Sequence, residues 1–521
     1  MRNIFVALPL MAALTLPVCA QGGRGGRGGQ TGASPAAAGQ TPGAAPSGPP
    51  PKVEEKTSIT SHSIQINGQT IEYTATAGTL ALRKEDGTPT ASIFYVAYTK
   101  DDVADLAHRP LTFAFNGGPG SSAVWLQLGA LGPKRVAMDA EGKPLPPPST
   151  LVDNEYSILD ITDLVFIDPV STGYSRAVPE SSASAFHGYT GDIQSVAECI
   201  RLYMTRHERW NSPKFLAGES YGTTRAAGLS GYLQQNLGID LNGIVLISSV
   251  LNFGTINFDS GNDLPYATFL PTYAATAWYH KKLAKDLQAA GLEKVVDEAR
   301  RYAGGPYLAA LFKGDTLSAD ERAAVVKNVA RLTGLSPQFV EEANLRISMQ
   351  RFAKELLRDQ RRTVGRYDGR LEGTDRDAAG ETPDYDPSYA SVQGAFTAAF
   401  NQYVRADLKF EDDSPYEVLT SQVRPWDYRE FENRYVNVSE TLRSAMTQNP
   451  ALKVYVACGY YDMATPFFSA EYIVNHMNLD PSLRNHISLG YYESGHMLYT
   501  NLKSLEKAKQ DISKFMASAL P

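Results

Sequence analysis

Over residues 57–98 apolar and polar positions alternate. Ile64, Ile66, Ile71 and Tyr73 flank Asn67-Gly68, and an apolar run over 93–98 follows Asp86-Gly87. Alternation with period two, broken by Asn-Gly and Asp-Gly, predicts strands joined by tight turns, a β-meander. Past residue 110 the pattern changes to short continuous apolar runs, at 111–115, 164–167, 214–217 and 244–248, separated by helix-compatible stretches. Runs apolar on both faces predict parallel strands covered by helices on either side. Between about 256 and 445 this rhythm stops, and the spacing predicts a helix-rich region with paired helices over 273–361. Strand-like runs return at 453–458 and 486–489, and helical spacing over 502–520 predicts a last helix against the sheet. The pattern therefore predicts one α/β domain, 57–255 plus 446–521, interrupted by a helical cap insertion at 256–445.

At 521 residues the chain is too long for one small core, which fits a large fold with an insertion. Net charge is −7, and no Lys/Arg block stands out beyond the Gly-Arg repeats near the start. Both features argue against a nucleic-acid partner. Residues 1–20 read as an export signal: Arg2, an apolar stretch over 4–18, then Val18-Cys19-Ala20 before a cut at Gln21. That stretch is too short to span a bilayer, and no later run is long and apolar enough. The expected location is a periplasm or the medium. Leu16, three residues before Cys19, raises the alternative of a lipoprotein, against which the bulk of Val18 counts. Residues 21–56, rich in Gly, Pro, Ala, Gln and Ser, predict a disordered linker. Two further cysteines, Cys199 and Cys458, could pair, though buried free thiols are the favoured reading. No Cys/His cluster has the spacing of a structural zinc site, and Asp375, Asp377, Glu381, Asp384 and Asp386 lack an ordered calcium spacing, which favours a solvated loop over a calcium loop.

The chemistry centres on Gly218-Glu219-Ser220-Tyr221-Gly222. It follows an apolar strand and precedes a helix-compatible stretch, the setting of a G-x-S-x-G nucleophile elbow. A seryl hydroxyl needs a base, and the base needs an acid to orient it. Among eight histidines, His496 lies in a loop just past a returning strand. Asp462 lies just past another, while Asp160, Asp163 and Asp168 all precede the serine, and Asp168 suits a structural role at its strand end. Ser220, Asp462 and His496 then occur in the order expected of an α/β-hydrolase, a mostly parallel mixed sheet flanked by helices. Asn116-Gly117-Gly118-Pro119-Gly120-Ser121-Ser122 after an early strand is the candidate second half of an oxyanion hole, with the Tyr221 N–H the first. A phosphate loop or plain turn is the alternative, but the Gly-Lys-Ser/Thr ending of a P-loop is missing. Tyr460, Tyr461, Tyr491 and Tyr492 either shape a pocket near the site or simply pack.

Four blocks together resemble the serine carboxypeptidase family: residues 113–122 with the asparagine-led glycine loop, residues 166–175 (Phe-Ile-Asp-Pro-Val-Ser-Thr-Gly-Tyr-Ser), the Glu-Ser-Tyr elbow, and Ser494-Gly495-His496-Met497. Gly459-Tyr460-Tyr461-Asp462 is a weaker fifth. The resemblance implies that Asn116, the backbone of Gly117 and Glu219 hold a peptide's C-terminal carboxylate, that Gly118 and Tyr221 form the oxyanion hole, and that Met497 lines the leaving-residue pocket. It also implies release of C-terminal amino acids through an acyl-enzyme, best in acid, because Glu219 beside a carboxylate must share a proton. The chain departs from the family in several places. The second glutamate of a Glu-x-Gly-Pro segment is Ala130, the tryptophan before the asparagine is Phe115, and family cysteines are replaced at Ser121 and within Met463-Ala464-Thr465. An esterase or acyltransferase on the same scaffold is therefore the alternative, and a non-catalytic binding protein a third. Oligomeric state is not legible.

Overall fold

The computed structural model describes residues 53–520; the export signal, the Cys19 alternative and the linker up to residue 52 lie outside the described residues. The strands are β1 Thr57–Ile66, β2 Gln69–Arg83, β3 Pro89–Lys100, β4 Leu111–Phe115, β5 Asp163–Ile167, β6 Arg176–Ala177, β7 Lys214–Glu219, β8 Gly243–Ile247, β9 Lys453–Gly459 and β10 Ile487–Tyr492. They form one ten-stranded sheet in the order β1-β2-β3-β5-β4-β7-β8-β9-β10, with the short β6 paired to β3. The first three are the antiparallel meander, turning at Asn67-Gly68, where both residues have positive φ (52° and 75°). From β5 onward every neighbouring pair is parallel. This is the α/β-hydrolase fold.

The helices used below are α1 Tyr189–Arg206, α2 Tyr221–Leu237, α3 Leu264–Tyr279, α4 Leu292–Tyr302, α5 Ala319–Thr333, α6 Pro387–Ala406, α7 Ser439–Gln448, α8 Phe467–Asn475 and α9 Leu502–Ala519. The continuous apolar strands are explained by the two cores they separate. Leu216, Ile244, Leu246, Val454 and Val456 face Val196, Ile200, Leu229, Leu233, Leu442 and Ile473 of α1, α2, α7 and α8. Alternate residues Phe215, Ala217, Val245, Ile247 and Ala457 face α9 (Ile512, Phe515) and α6 (Phe396, Phe400, Tyr403). With both faces buried, no position in these strands can be polar without an internal partner.

A third core, built on Phe269, Tyr273, Val295, Val329 and Phe352, belongs to α3, α4, α5 and their neighbours. Residues 256–445 do not all share it, since α6 packs on the sheet through Phe396, Phe400 and Tyr403. One part of that region also departs from the helix-rich expectation. Residues 408–438 run as an irregular, largely extended strap, with bridges Gly173–Glu417, Ser121–Leu419, Gly188–Asp427 and Asn252–Asn437. Pro415 and Pro425 cannot donate into a helix, and the strap satisfies its backbone against loops of the sheet domain instead. The acidic stretch before α6 is a loop, in which Asp375 is paired with the buried Lys354 at 2.5 Å. Glu55 and Lys56 are already tied to the fold, through the Ala81 N–H and Thr79 hydroxyl. Cys199 and Cys458 are buried free thiols. No helix among the described residues is long and apolar enough to cross a membrane.

Candidate active site

Ser220 stands between the end of β7 and the first turn of α2, with φ 59° and ψ −128°. A non-glycine residue reaches this conformation only when its surroundings impose it. The Ser220 N–H donates to Ile247 O of β8 at 3.0 Å, and a Cβ on Gly218 would lie 2.2 Å from Gly222 O, so the turn closes only without one. Ser220 is partly exposed, whereas Glu219 and Tyr221 on either side are buried. The glycine loop leaves β4, the strand beside β7, and touches the elbow directly: a Cβ on Gly117 would lie 2.4 Å from Tyr221 N. Gly118 is exposed at φ 100°. The loop and the α2 N-terminus thus bring backbone N–H groups to one place, where the helix dipole favours negative charge.

Beneath them Arg225, 1% exposed, donates to Asp192 at 2.8 Å and to Asn116 O, and its guanidinium lies over the rings of Phe115 and Tyr221. From above, the strap holds the same loop: Ser122 N–H donates to Val418 O, Thr420 N–H to Gly120 O, and Trp426 Nε1 to the Tyr221 hydroxyl at 3.1 Å.

Asp462 and His496 meet beyond the ends of β9 and β10. Asp462 Oδ2 accepts from His496 Nδ1 at 2.8 Å and from the Thr465 hydroxyl at 2.7 Å, and Oδ1 accepts from the N–H groups of Ala464 and Thr465. Both side chains are buried. Burial by itself pushes the imidazole down, but the charge and hydrogen bond of Asp462, with the charge of Glu219, outweigh it and leave His496 above its ordinary value. Nδ1 is committed to Asp462, which leaves Nε2 as the basic nitrogen. Ser220 makes no hydrogen bond to His496 in this conformation; such bonds commonly tighten only when substrate binds.

A hairpin from the insertion holds both loops. Tyr367 stacks on the His496 ring at 4.9 Å, and its carbonyl accepts from His496 N at 2.6 Å. Gly369 N–H donates to Tyr461 O and Met463 N–H to Arg366 O. Asp368 accepts from Gly495 N and from Arg370, which also reaches Glu493 O and the Ser494 hydroxyl.

Glu219 is 4% exposed, and Tyr499 donates to its Oε2 at 2.6 Å. Burial raises its carboxyl to about 7, against the lowering effects of His496, Tyr499 and Asn116. Ala130 is buried in the turn Gln127–Leu131, its carbonyl accepting from Asn154 at 2.9 Å. Met497 is buried in the core shared with α9. The tyrosines near the motifs make packing contacts: Tyr460 and Tyr491 stack on each other under Arg300, Tyr492 bonds Tyr455 at 2.6 Å, and Tyr461 lies under Arg370. Among the described residues no cluster of three or more His, Cys, Asp or Glu could hold a metal ion.

Residues 68–496 match the serine carboxypeptidase family. The chain belongs to that family. Serine carboxypeptidase-like 29 of Arabidopsis thaliana is 28% identical over 173 residues, which are 32% of this chain and 33% of that protein. The pheromone-processing carboxypeptidase KEX1 of Yarrowia lipolytica is 31% identical over 146 residues, 27% of this chain and 22% of that protein. These alignments span a third or less of the curated relatives' lengths. The crystal structure of a prohormone-processing carboxypeptidase, Kex1 from Saccharomyces cerevisiae, superposes with a TM-score of 0.53 at 15% identity, covering 85% of this chain and 91% of that one, a likeness of fold.

Sequence reasoning missed Thr465, Tyr367, Arg370, Trp426 and Tyr499. For Tyr499 a signal existed. A family member lacking its second acid leaves Glu219 in need of a partner, and Tyr499 follows His496 by one turn.

Proposed function

We propose that this chain is an exported serine carboxypeptidase. Ser220 attacks the last peptide carbonyl of a substrate, and His496 Nε2 takes its proton while Asp462 stabilises the imidazolium. The oxyanion sits between the N–H groups of Gly118 and Tyr221. The C-terminal amino acid leaves with the proton from His496, and water activated by the same imidazole hydrolyses the acyl-enzyme. Asn116, the Gly117 N–H and Glu219 hold the substrate's terminal carboxylate, and Met497 lines the pocket for the departing side chain. The helices around the third core form the cap over the serine. No cofactor enters this sequence of steps, and the first twenty residues direct export.

The observation that carries the reading is Glu219: a buried carboxyl one residue from the elbow serine, held by the Tyr499 hydroxyl at 2.6 Å, where burial favours its protonated form. A hydrolase of simple esters has no use for a proton-bearing acid there, whereas a site for a carboxylate does. Ala130 favours a second reading, an esterase or acyltransferase in which carboxylate recognition has been lost. An N-blocked dipeptide and its C-terminal amide separate the two, with Ser220→Ala as the blank. Preference for the free acid supports the carboxypeptidase. Equal or better cleavage of the amide, or activity on esters alone, transfers the case to the second reading.

A further inference from the structure

We propose that Tyr499 is the partner of Glu219 in a one-acid site for a peptide's C-terminal carboxylate, in place of the absent second glutamate; this rests on the carboxypeptidase reading above. The space is built for the tyrosine. A Cβ on Gly129 would lie 2.4 Å from Tyr499 Cε2, so the ring fits only because residue 129 has no side chain. Its hydroxyl is spent on Glu219 Oε2 at 2.6 Å. Tyr499 is therefore a positioning residue, acting through Glu219.

The consequence is a change in proton arithmetic. Two facing carboxyls share a proton and bind a third carboxylate only in acid. Tyr499 does not ionise anywhere near neutrality, since burial and Glu219 push it well above its ordinary value. By donating to Oε2 it leaves Oε1 to carry the proton that Glu219 shares with the substrate carboxylate. The other groups facing Glu219 are His496, Asp462, Asn116 and Tyr367, with Arg366 acting on His496 from the insertion. Recognition then depends on the protonation of one acid, which burial favours.

The test is kcat and KM of the full chain between pH 5 and 9, on an N-blocked dipeptide acid and on an N-blocked amino-acid ester that has no carboxylate to recognise. For the wild type, KM for the acid is expected to rise about tenfold per pH unit above neutrality while the ester KM stays flat. Tyr499→Phe removes a donor to the ionised form of Glu219, so its alkaline limb for the acid moves up by about one pH unit, whereas the ester, which has no carboxylate to recognise, shows no such limb in KM. Glu219→Gln, neutral at every pH, abolishes the limb. An unmoved limb in Tyr499→Phe, or equal losses on acid and ester, overturns the role of Tyr499 while leaving the carboxypeptidase intact. A wild type that shows no preference for the acid at any pH overturns both.

Discussion

At the scale of single residues, the site is decided by which oxygen faces which nitrogen. Asp462 presents Oδ1 to two backbone N–H groups and Oδ2 to Thr465 and His496. In Asp462→Asn the amide oxygen must stay with the backbone donors, which turns the NH2 toward His496 Nδ1. The imidazole then takes the wrong tautomer, with its proton on Nε2, where it cannot act as a base. kcat is expected to fall by about 10⁴ with the fold intact. Asp462 also supplies the main upward push on His496, so the residual activity should keep rising at lower pH than in the wild type. A variant with wild-type kcat, or with an unshifted acid limb, would remove Asp462 from its role. Residue identities of this kind were legible in sequence because chain order and strand ends constrain them. Tyr499 was not, because it meets Glu219 across 280 residues of sequence, and the missing second acid points to the need for a partner without naming it.

At the scale of elements, the hairpin carrying residues 366–370 ties the Asp462 loop to the His496 loop. Arg370 joins Asp368 to the backbone of Glu493 and the side chain of Ser494, and Asp368 holds Gly495 N–H. Arg370→Ala leaves Asp368 buried without its cation, which costs about 3 kcal/mol. It also frees the histidine loop. kcat on peptide and ester alike is expected to drop several-fold with KM little changed, alongside a lower denaturant midpoint. Wild-type kcat together with a wild-type midpoint would show that the hairpin is decoration. The strands of the sheet were legible, since burial on both faces forces continuous apolar runs. The strap and the hairpin were hidden for the converse reason. Residues 408–438 and 363–373 are held by backbone pairing to distant loops, and such pairing leaves no periodicity to read.

At the scale of the whole molecule, the fold carries a second buried acid, which takes no part in the chemistry. Asp168 directly follows β5 and accepts from Ala123 N–H through Oδ1 at 2.8 Å, with the Tyr416 hydroxyl acting on its carboxyl. Gly173 leaves it room: a Cβ there would lie 1.7 Å from Oδ2. The sequence assigned Asp168 a structural role, and its surroundings explain what that role costs. Burial raises its carboxyl from the usual 3.8 to about 7, the Ala123 bond pulling it back only in part. Between those two values the folded chain holds a proton that the unfolded chain has released. The stability Asp168 contributes is therefore complete below about pH 4 and is lost as pH rises through 7. Glu219 acts in the same direction. Asp168→Asn keeps the Oδ1 acceptor and cannot ionise, so it removes one of these two dependences. Measured by urea unfolding, its stability relative to the wild type should improve by a few kcal/mol between pH 4 and pH 8. A difference that stays constant across that range would mean that Asp168 titrates normally. The pH dependence of folding would then have to be sought in Glu219, where stability and carboxylate recognition draw on the same proton.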